Sequence, residues 1–584
     1  MDMRMHTMLK IRKLLIIRIM LIAISICNLL FMHYFFYFRG FLEWTWMYSE
    51  IINLCGVLFD VSFLIILFLI LSRGRLKFAL AMTQFITLFW SFVNVMYGKF
   101  FFQYISLSAI EEVHGLGDNL VINSMLSAFC WYDFYYIFSF VLFVFLFRKI
   151  KPYTIKTRTI IRLLLVPAFS IVMTFFAYST YHFIHPHYRY NWELYKFRSK
   201  EFLFDSVGGG TPNLSHFQTG CIRVALFELY DMFHVVRLTA EQRKQIEDYY
   251  SEHTLRMSYH QRNPNIKNVI FILLESFLSA PIDLKVDGIE VTPFLNSLKR
   301  DSNVYYNGNM ISDIGCGESG DGQFIYMTGI LPLRHRMTVG QVKNNILPAL
   351  PKVLKKSLGV KYSEIISPTA PNLWQQSEMN KAYGFSNAFW LEDITSGQQR
   401  PIDDELIFKF ASKRLEKLKE PFFSLVLSLS THSPYTKYVG DNIMNGNRKY
   451  NELYKNYLNS CHFLDEQLGK YITELKKRGL YNRSLIVIAS DHYAHLDMLG
   501  MKDQILDYTP LFIINGNINN DNSRITEIHQ LDLYTSLLDL LQIKQLWRGL
   551  GHTVLIPSDT NSVNETAYDI SKMIIEGDYF SIAD

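Results

Sequence analysis

Before about residue 185 the chain carries five apolar segments long enough to cross a bilayer, near 14–38, 48–71, 78–98, 121–147 and 161–184. LLIIRIMLIAISICNLLF (14–31) and VSFLIILFLIL (61–71) are typical of them. A hydrocarbon core about 30 Å thick needs roughly 20 such residues when the segment is a helix. In lipid the backbone must satisfy its own hydrogen bonds, so these segments are expected to form membrane-spanning helices. Arg4, Lys10, Arg12 and Lys13 precede the first one, as in a signal peptide. Its apolar run is longer than a signal peptide's and continues into aromatics instead of a small-residue cleavage site, so it reads as an uncleaved span.

Basic residues in the short loops set the expected orientation. Arg73, Arg75 and Lys77 follow the second segment, and Arg148, Lys149, Lys151, Lys156, Arg158 and Arg162 follow the fourth. The alternate loops hold only Arg39 (39–47) or acids without Lys or Arg (101–120). The N-terminus is therefore expected to be cytoplasmic, and five spans place everything after about 185 on the outer side. Trp44, Trp46 and Tyr48 fit a membrane interface. Net charge is +5, too small to argue for nucleic acid. Six Cys without a CxxC pattern argue against a thiol-ligated metal site.

Residues 185–265 are polar and aromatic, broken by GGG at 208–210, and read as a helical connecting segment. Within it, IRVALFELYDMFHVV (222–236) has helical apolar spacing, and Thr239 with Gln242 forms a capping box. From 266 to the end, short apolar runs alternate with helical stretches. NVIFILLESF (268–277), FFSLVLSLS (422–430), SLIVIASDH (484–492) and PLFIING (510–516) read as buried strands. YLNSCHFLDEQLGKYITELKKRG (457–479) reads as a helix ending in a basic turn and Gly. The alternation predicts an α/β domain, its mostly parallel sheet flanked by helices.

In such sheets ligands bind beyond the carboxyl ends of the strands. Three runs end there in polar residues: Glu275, Thr431-His432 and Asp491-His492. Carboxylates with an imidazole suit a divalent cation. GCGESGDGQF (315–324) surrounds one hydroxyl, Ser319, with glycines that permit close backbone approach. A metal beside that hydroxyl would activate it as a nucleophile.

These residues, in order with VTPFLNSL (291–298), ILPL (330–333), STHSPY (430–435), TPLFIING (509–516), QLDLYTSLLDLLQI (530–543) and GLGHTVL (549–555), resemble the alkaline phosphatase/sulfatase superfamily. The whole chain resembles, more narrowly, the lipoteichoic acid synthases and related phosphoglycerol and phosphoethanolamine transferases. The resemblance implies a sulfatase-like catalytic domain over 266–584, with a five-span transmembrane domain over 1–184. It implies Glu275, Asp491, His492 and Ser319 as ligands of one divalent metal, Mn²⁺ by preference, with Mg²⁺ or Zn²⁺ as alternatives. Ser319 then matches the nucleophile, and His432 matches a phosphate contact. The implied reaction is a ping-pong transfer. Ser319 takes the head group of phosphatidylglycerol or phosphatidylethanolamine, diacylglycerol leaves, and an envelope glycan or glycolipid accepts the group at the cell membrane.

Three positions depart from the family pattern. Ser319 stands where Thr is usual, Glu318 where Lys is common, and Gln376 where an Arg grips glycerol phosphate, two residues after Trp374. Trp374 and Gln376 are nonetheless the expected substrate contacts. Phosphoethanolamine transfer is the alternative to phosphoglycerol transfer, with a metal-dependent phosphodiesterase or sulfuric-ester hydrolase behind it. A formylglycine sulfatase needs Cys or Ser followed by x-P-x-R, and neither Cys316 nor Ser319 has that context. His495 and Asp497 read as a solvated loop, with a second cation site or support of the metal ligands as alternatives, and His335 between Arg334 and Arg336 reads as a surface loop, with attraction of anionic head groups as the alternative.

Overall fold

The computed structural model describes residues 2–38, 47–101, 104–105, 129–184, 216–217, 220–233, 237–254, 261–315, 317–334, 337–371, 373–397, 402–433, 435, 437–495, 499–501, 506–518, 527–556 and 562–582. It divides into two compact units, Met1–Ile110 with Asn119–His234, and Val235–Asp584 with Glu111–Asp118. The boundary falls inside the expected connecting segment. Helix Cys221–Phe233 belongs to the first unit and helix Ala240–Thr254 to the second. The capping box forms as read: Thr239 N donates to Gln242 Oε1 (2.9 Å) and Gln242 N to Thr239 Oγ1 (3.2 Å).

In the first unit, four helices among the described residues are long and apolar enough to cross a membrane: Arg12–Phe38, Glu50–Leu71, Leu76–Lys99 and Thr157–Thr174. Four of the expected five segments are thus described at spanning length. The fourth expected span is described only as the shorter apolar helix Trp131–Phe147, and residues 121–128 lie outside the described residues. Phe134, Phe138, Leu165 and Phe169 face outward and are mostly exposed, as lipid-facing side chains are. Polar side chains turn inward instead: Ser139 Oγ donates to Asn28 Oδ1 (2.7 Å) and Ser25 Oγ to Gln84 Oε1 (3.0 Å). Asp60 accepts from the backbone N–H groups of Cys221 (2.7 Å) and Ile222 (3.1 Å), tying down the start of the following helix. Trp44 and Trp46 lie outside the described residues.

The second unit is built on an eight-stranded sheet. We number its strands β1 Asn268–Leu274, β2 Val304–Ile311, β3 Tyr362–Ile366, β4 Asn387–Phe389, β5 Phe422–Leu427, β6 Ser484–Ser490, β7 Thr509–Ile514 and β8 Ile528–His529. Their spatial order is β8-β2-β7-β6-β1-β5-β3-β4. Only β7 runs against its neighbours β6 and β2; every other pairing is parallel. The central β1 is buried on both faces. Val269, Phe271 and Leu273 pack with Phe324 and Leu537 of helices Glu318–Thr328 and Leu531–Leu540. Ile270, Ile272 and Leu274 pack on the other side with Leu458, Leu464 and Leu468 of helix Glu452–Lys477. Strand alternation thus puts helices on both faces. Register aligns Leu274 with Ser490, so Glu275 and Asp491 leave adjacent strands side by side.

Candidate active site and metal centre

The carboxyl ends of β1, β5 and β6 are stitched together by short side chains. Ser428 Oγ accepts from Glu275 N (2.9 Å), and Ser490 Oγ accepts from Phe277 N (2.8 Å). Thr431 Oγ1 donates to the Glu275 carbonyl. Ser276 has φ +49°, a left-handed turn that directs the chain away from the sheet. Asp491 Oδ1 accepts from Ser276 N (2.9 Å) and His492 N (2.7 Å), which leaves Oδ2 for another partner.

Ser319 reaches this edge from the first turn of helix Glu318–Thr328. Its Oγ is 3.3 Å from Glu275 Oε2 and 3.2 Å from His492 Nε2. Asp321 Oδ2 holds the preceding loop by accepting from Gly315 N (2.9 Å) and Gly317 N (2.8 Å). Gly322 is what lets the helix come this close, because a Cβ there would run into the Asp491 carbonyl. Cys316 lies outside the described residues.

Ligand atoms of Glu275, Asp491 and His492 lie within 4.8 Å of one another. His492 Nδ1 is 2.8 Å from the Tyr493 carbonyl, so the Nδ1–H donates there and Nε2 is turned toward the carboxylates. Burial, reinforced by the charge of Glu275, pushes Asp491 up to about 7. Burial also raises Glu318 and Asp321 to about 7. Glu275 feels the same burial, but the His492 hydrogen bond and the His432 charge outweigh it and hold it low. With protein groups alone, burial of His492 is outweighed by Asp491, Glu275 and Glu318, which raise it. Acids crowded out of water against imidazoles as their cationic neighbours fit a divalent cation bound through Glu275, Asp491, His492 and Ser319 Oγ.

His432 follows β5 at the exposed rim, close enough for its charge to act on Glu275. Trp374 lies in the turn Leu373–Gln375, and its side chain lies outside the described residues. Gln376 is buried, and its amide is already engaged. Its Nε2 donates to Gln323 Oε1 (2.9 Å) and Asn380 Oδ1 (3.1 Å), while its Oε1 accepts from Gln323 Nε2 (3.4 Å). The expected substrate contact thus packs against the helix that carries Ser319. His495 is buried, not solvated, with Nε2 3.8 Å from Glu318 Oε2. Arg334 pairs with Glu565 (2.8 Å). His335, Arg336 and Asp497 lie outside the described residues.

Gln530 was quoted in a motif but given no role by sequence reasoning. It is fully buried, donates from Nε2 to the Asp491 carbonyl (2.7 Å), and accepts at Oε1 from Asp313 N (2.8 Å). It braces the turn carrying Asp491 to the strand leading toward Ser319. Its place opening QLDLYTSLLDLLQI was the available signal.

Comparison with known proteins bears out the resemblance. Residues 267–543, within the second unit, match the Sulfatase family. The chain is 31% identical over 300 residues to lipoteichoic acid synthase 2 of Bacillus subtilis, covering 47% of this chain and 45% of that protein. It is 24% identical over 531 residues to the lipoteichoic acid synthase of Staphylococcus aureus, covering 85% of this chain and 79% of that protein. The chain spans about half the length of the first of these relatives. Among solved structures it is similar to the lipoteichoic acid synthase LtaP of Listeria monocytogenes, with 19% identity and TM-score 0.42 over 55% of this chain and 81% of that one.

Proposed function

We propose that the protein is a membrane-bound, metal-dependent phosphotransferase that moves a phospholipid head group of phosphoglycerol type to a cell-envelope acceptor. The observation that carries this reading is Ser319 Oγ standing 3.3 Å from Glu275 and 3.2 Å from His492 at the start of a helix. A helix N-terminus favours an anion such as a phosphodiester. A divalent cation on Glu275, Asp491 and His492, Mn²⁺ by preference, would lower the hydroxyl's pKa and neutralise charge on the phosphoryl oxygens.

Ser319 Oγ attacks phosphorus and loses its proton. The bond from phosphorus to the diacylglycerol oxygen breaks, and that oxygen leaves as an alcohol with a proton. An acceptor hydroxyl then attacks the Ser319 phosphoester, giving up its proton, and Ser319 regains a hydroxyl. His432, on the open rim, would contact the phosphate. The multi-pass membrane unit would hold the site beside its lipid donor, with the N-terminus cytoplasmic and the catalytic domain outside. The acceptor is an envelope glycan or glycolipid.

One observation favours phosphoethanolamine as the alternative group. Gln376, where a glycerol-phosphate contact was expected, has its amide engaged by Gln323 and Asn380. Fluorescent phosphatidylglycerol and phosphatidylethanolamine in mixed micelles test both readings. Diacylglycerol release from one of them, lost by at least about 10³-fold in Ser319→Ala, is expected for nucleophilic catalysis. No turnover of any phospholipid by the metal-loaded protein would reject the proposal.

A further inference from the structure

A second group of side chains meets beside the first centre. Glu318 Oε2 lies 3.8 Å from His495 Nε2 and 3.7 Å from His492 Nδ1, and ligand atoms of these three residues fall within 4.8 Å of one another. Glu318 Oε2 is buried and has no hydrogen-bond partner among the described residues. A carboxylate oxygen withdrawn from water without a partner is costly, and such oxygens commonly meet a cation. Glu318 also sits at φ +44°, an unfavourable backbone conformation for a residue other than Gly. His492 Nδ1 already donates to Tyr493, so it walls this group without being available as a ligand. The ligand atoms are the Glu318 carboxylate and His495 Nε2.

Charge points the same way. Glu275, Glu318, Asp321 and Asp491 gather around the approach to Ser319, and the described cationic groups acting on them are His492 and His432. One divalent cation at the first centre leaves negative charge where a phosphodiester must arrive. We propose that Glu318 and His495 bind a second divalent cation, its remaining positions filled by water or by phosphate oxygens of the substrate. One nitrogen and one carboxylate suit Mn²⁺ or Zn²⁺. The part given to substrate phosphate rests on the phosphotransferase reading; the metal site itself does not.

The test counts metal on the full chain in detergent micelles. The protein is stripped with chelator, reloaded with excess Mn²⁺, and analysed by equilibrium dialysis with elemental analysis and by electron paramagnetic resonance. The wild type is expected to hold two Mn²⁺ per chain with a spin-coupled spectrum. Glu318→Gln, His495→Ala and Glu318→Lys are each expected to hold one, with an uncoupled spectrum. One ion per saturated wild-type chain overturns the proposal. So do two ions in every variant, and so does loss of both ions in every variant, which would make Glu318 and His495 part of a single centre. A wild type that binds two coupled ions yet releases no diacylglycerol supports the second site and rejects the phosphotransferase reading.

Discussion

At the scale of single residues the site depends on how closely the helix bearing Ser319 can approach the end of β6. Gly322 sets that distance, since a methyl group there would press on the Asp491 carbonyl. Gly322→Ala is expected to destabilise the second unit by about 1–3 kcal/mol, the usual penalty for overpacking. Chemical denaturation would measure it, and Mn²⁺ affinity should fall with it because Asp491 must shift. Asp491 and Glu318 also make metal uptake depend on pH. Burial raises both to about 7, so below that pH protons compete with the ion for the same oxygens. Affinity should therefore rise with pH through 7, by about tenfold per unit below it if one proton is displaced. Titration of Mn²⁺ binding between acidic and mildly alkaline pH checks this; a flat profile would contradict it.

At the scale of elements, the sheet's ends are held by braces between strands that are remote in sequence. Gln530 spans from Asp491 to Asp313 with both ends of its amide engaged. Gln530→Leu leaves the Asp313 N–H and the Asp491 carbonyl without this partner, at about 1–3 kcal/mol per stranded group. Weaker Mn²⁺ binding is the expected result, with helix content by circular dichroism unchanged. β1, β5, β6 and β7 were legible because each is a continuous apolar run. β2 was not: VYYNGNMI mixes Asn and Gly into the strand, and only every third residue is buried. β8 has two residues, too few for any pattern. Glu275, Asp491 and His492 could be read as a set because each closes an apolar run. The meeting of Glu318 with His495 could not, because it arises from tertiary packing between a helix start and a strand-end loop. Gln376 likewise looked available in sequence, and only packing showed that Gln323 takes up its amide.

At the scale of the whole molecule, composition sets an apolar first part of the chain apart from a more polar remainder, and the chain divides into two compact units near residue 235. Among the described residues, four helices have spanning length. The aromatic run after residue 130 forms a helix starting at Trp131, shorter than the other spans. The proposed orientation predicts that protease added to intact cells removes the domain after residue 235 while leaving the apolar helices protected. Protection of that domain until the cells are broken would reverse the topology.

The register of β1 against β6 has a consequence in time. Asp491 Oδ1 meets the Ser276 N–H across 215 residues of sequence. Pairings this remote in the chain form late in folding. The two carboxylates of the first centre therefore have no common location until the chain has been made past residue 491 and β1 has paired with β6. An ion cannot be chelated by the nascent chain piecemeal; it is taken from whichever compartment the finished domain folds in. The metal supply of that compartment, more than that of the compartment of synthesis, then decides which cation the protein carries.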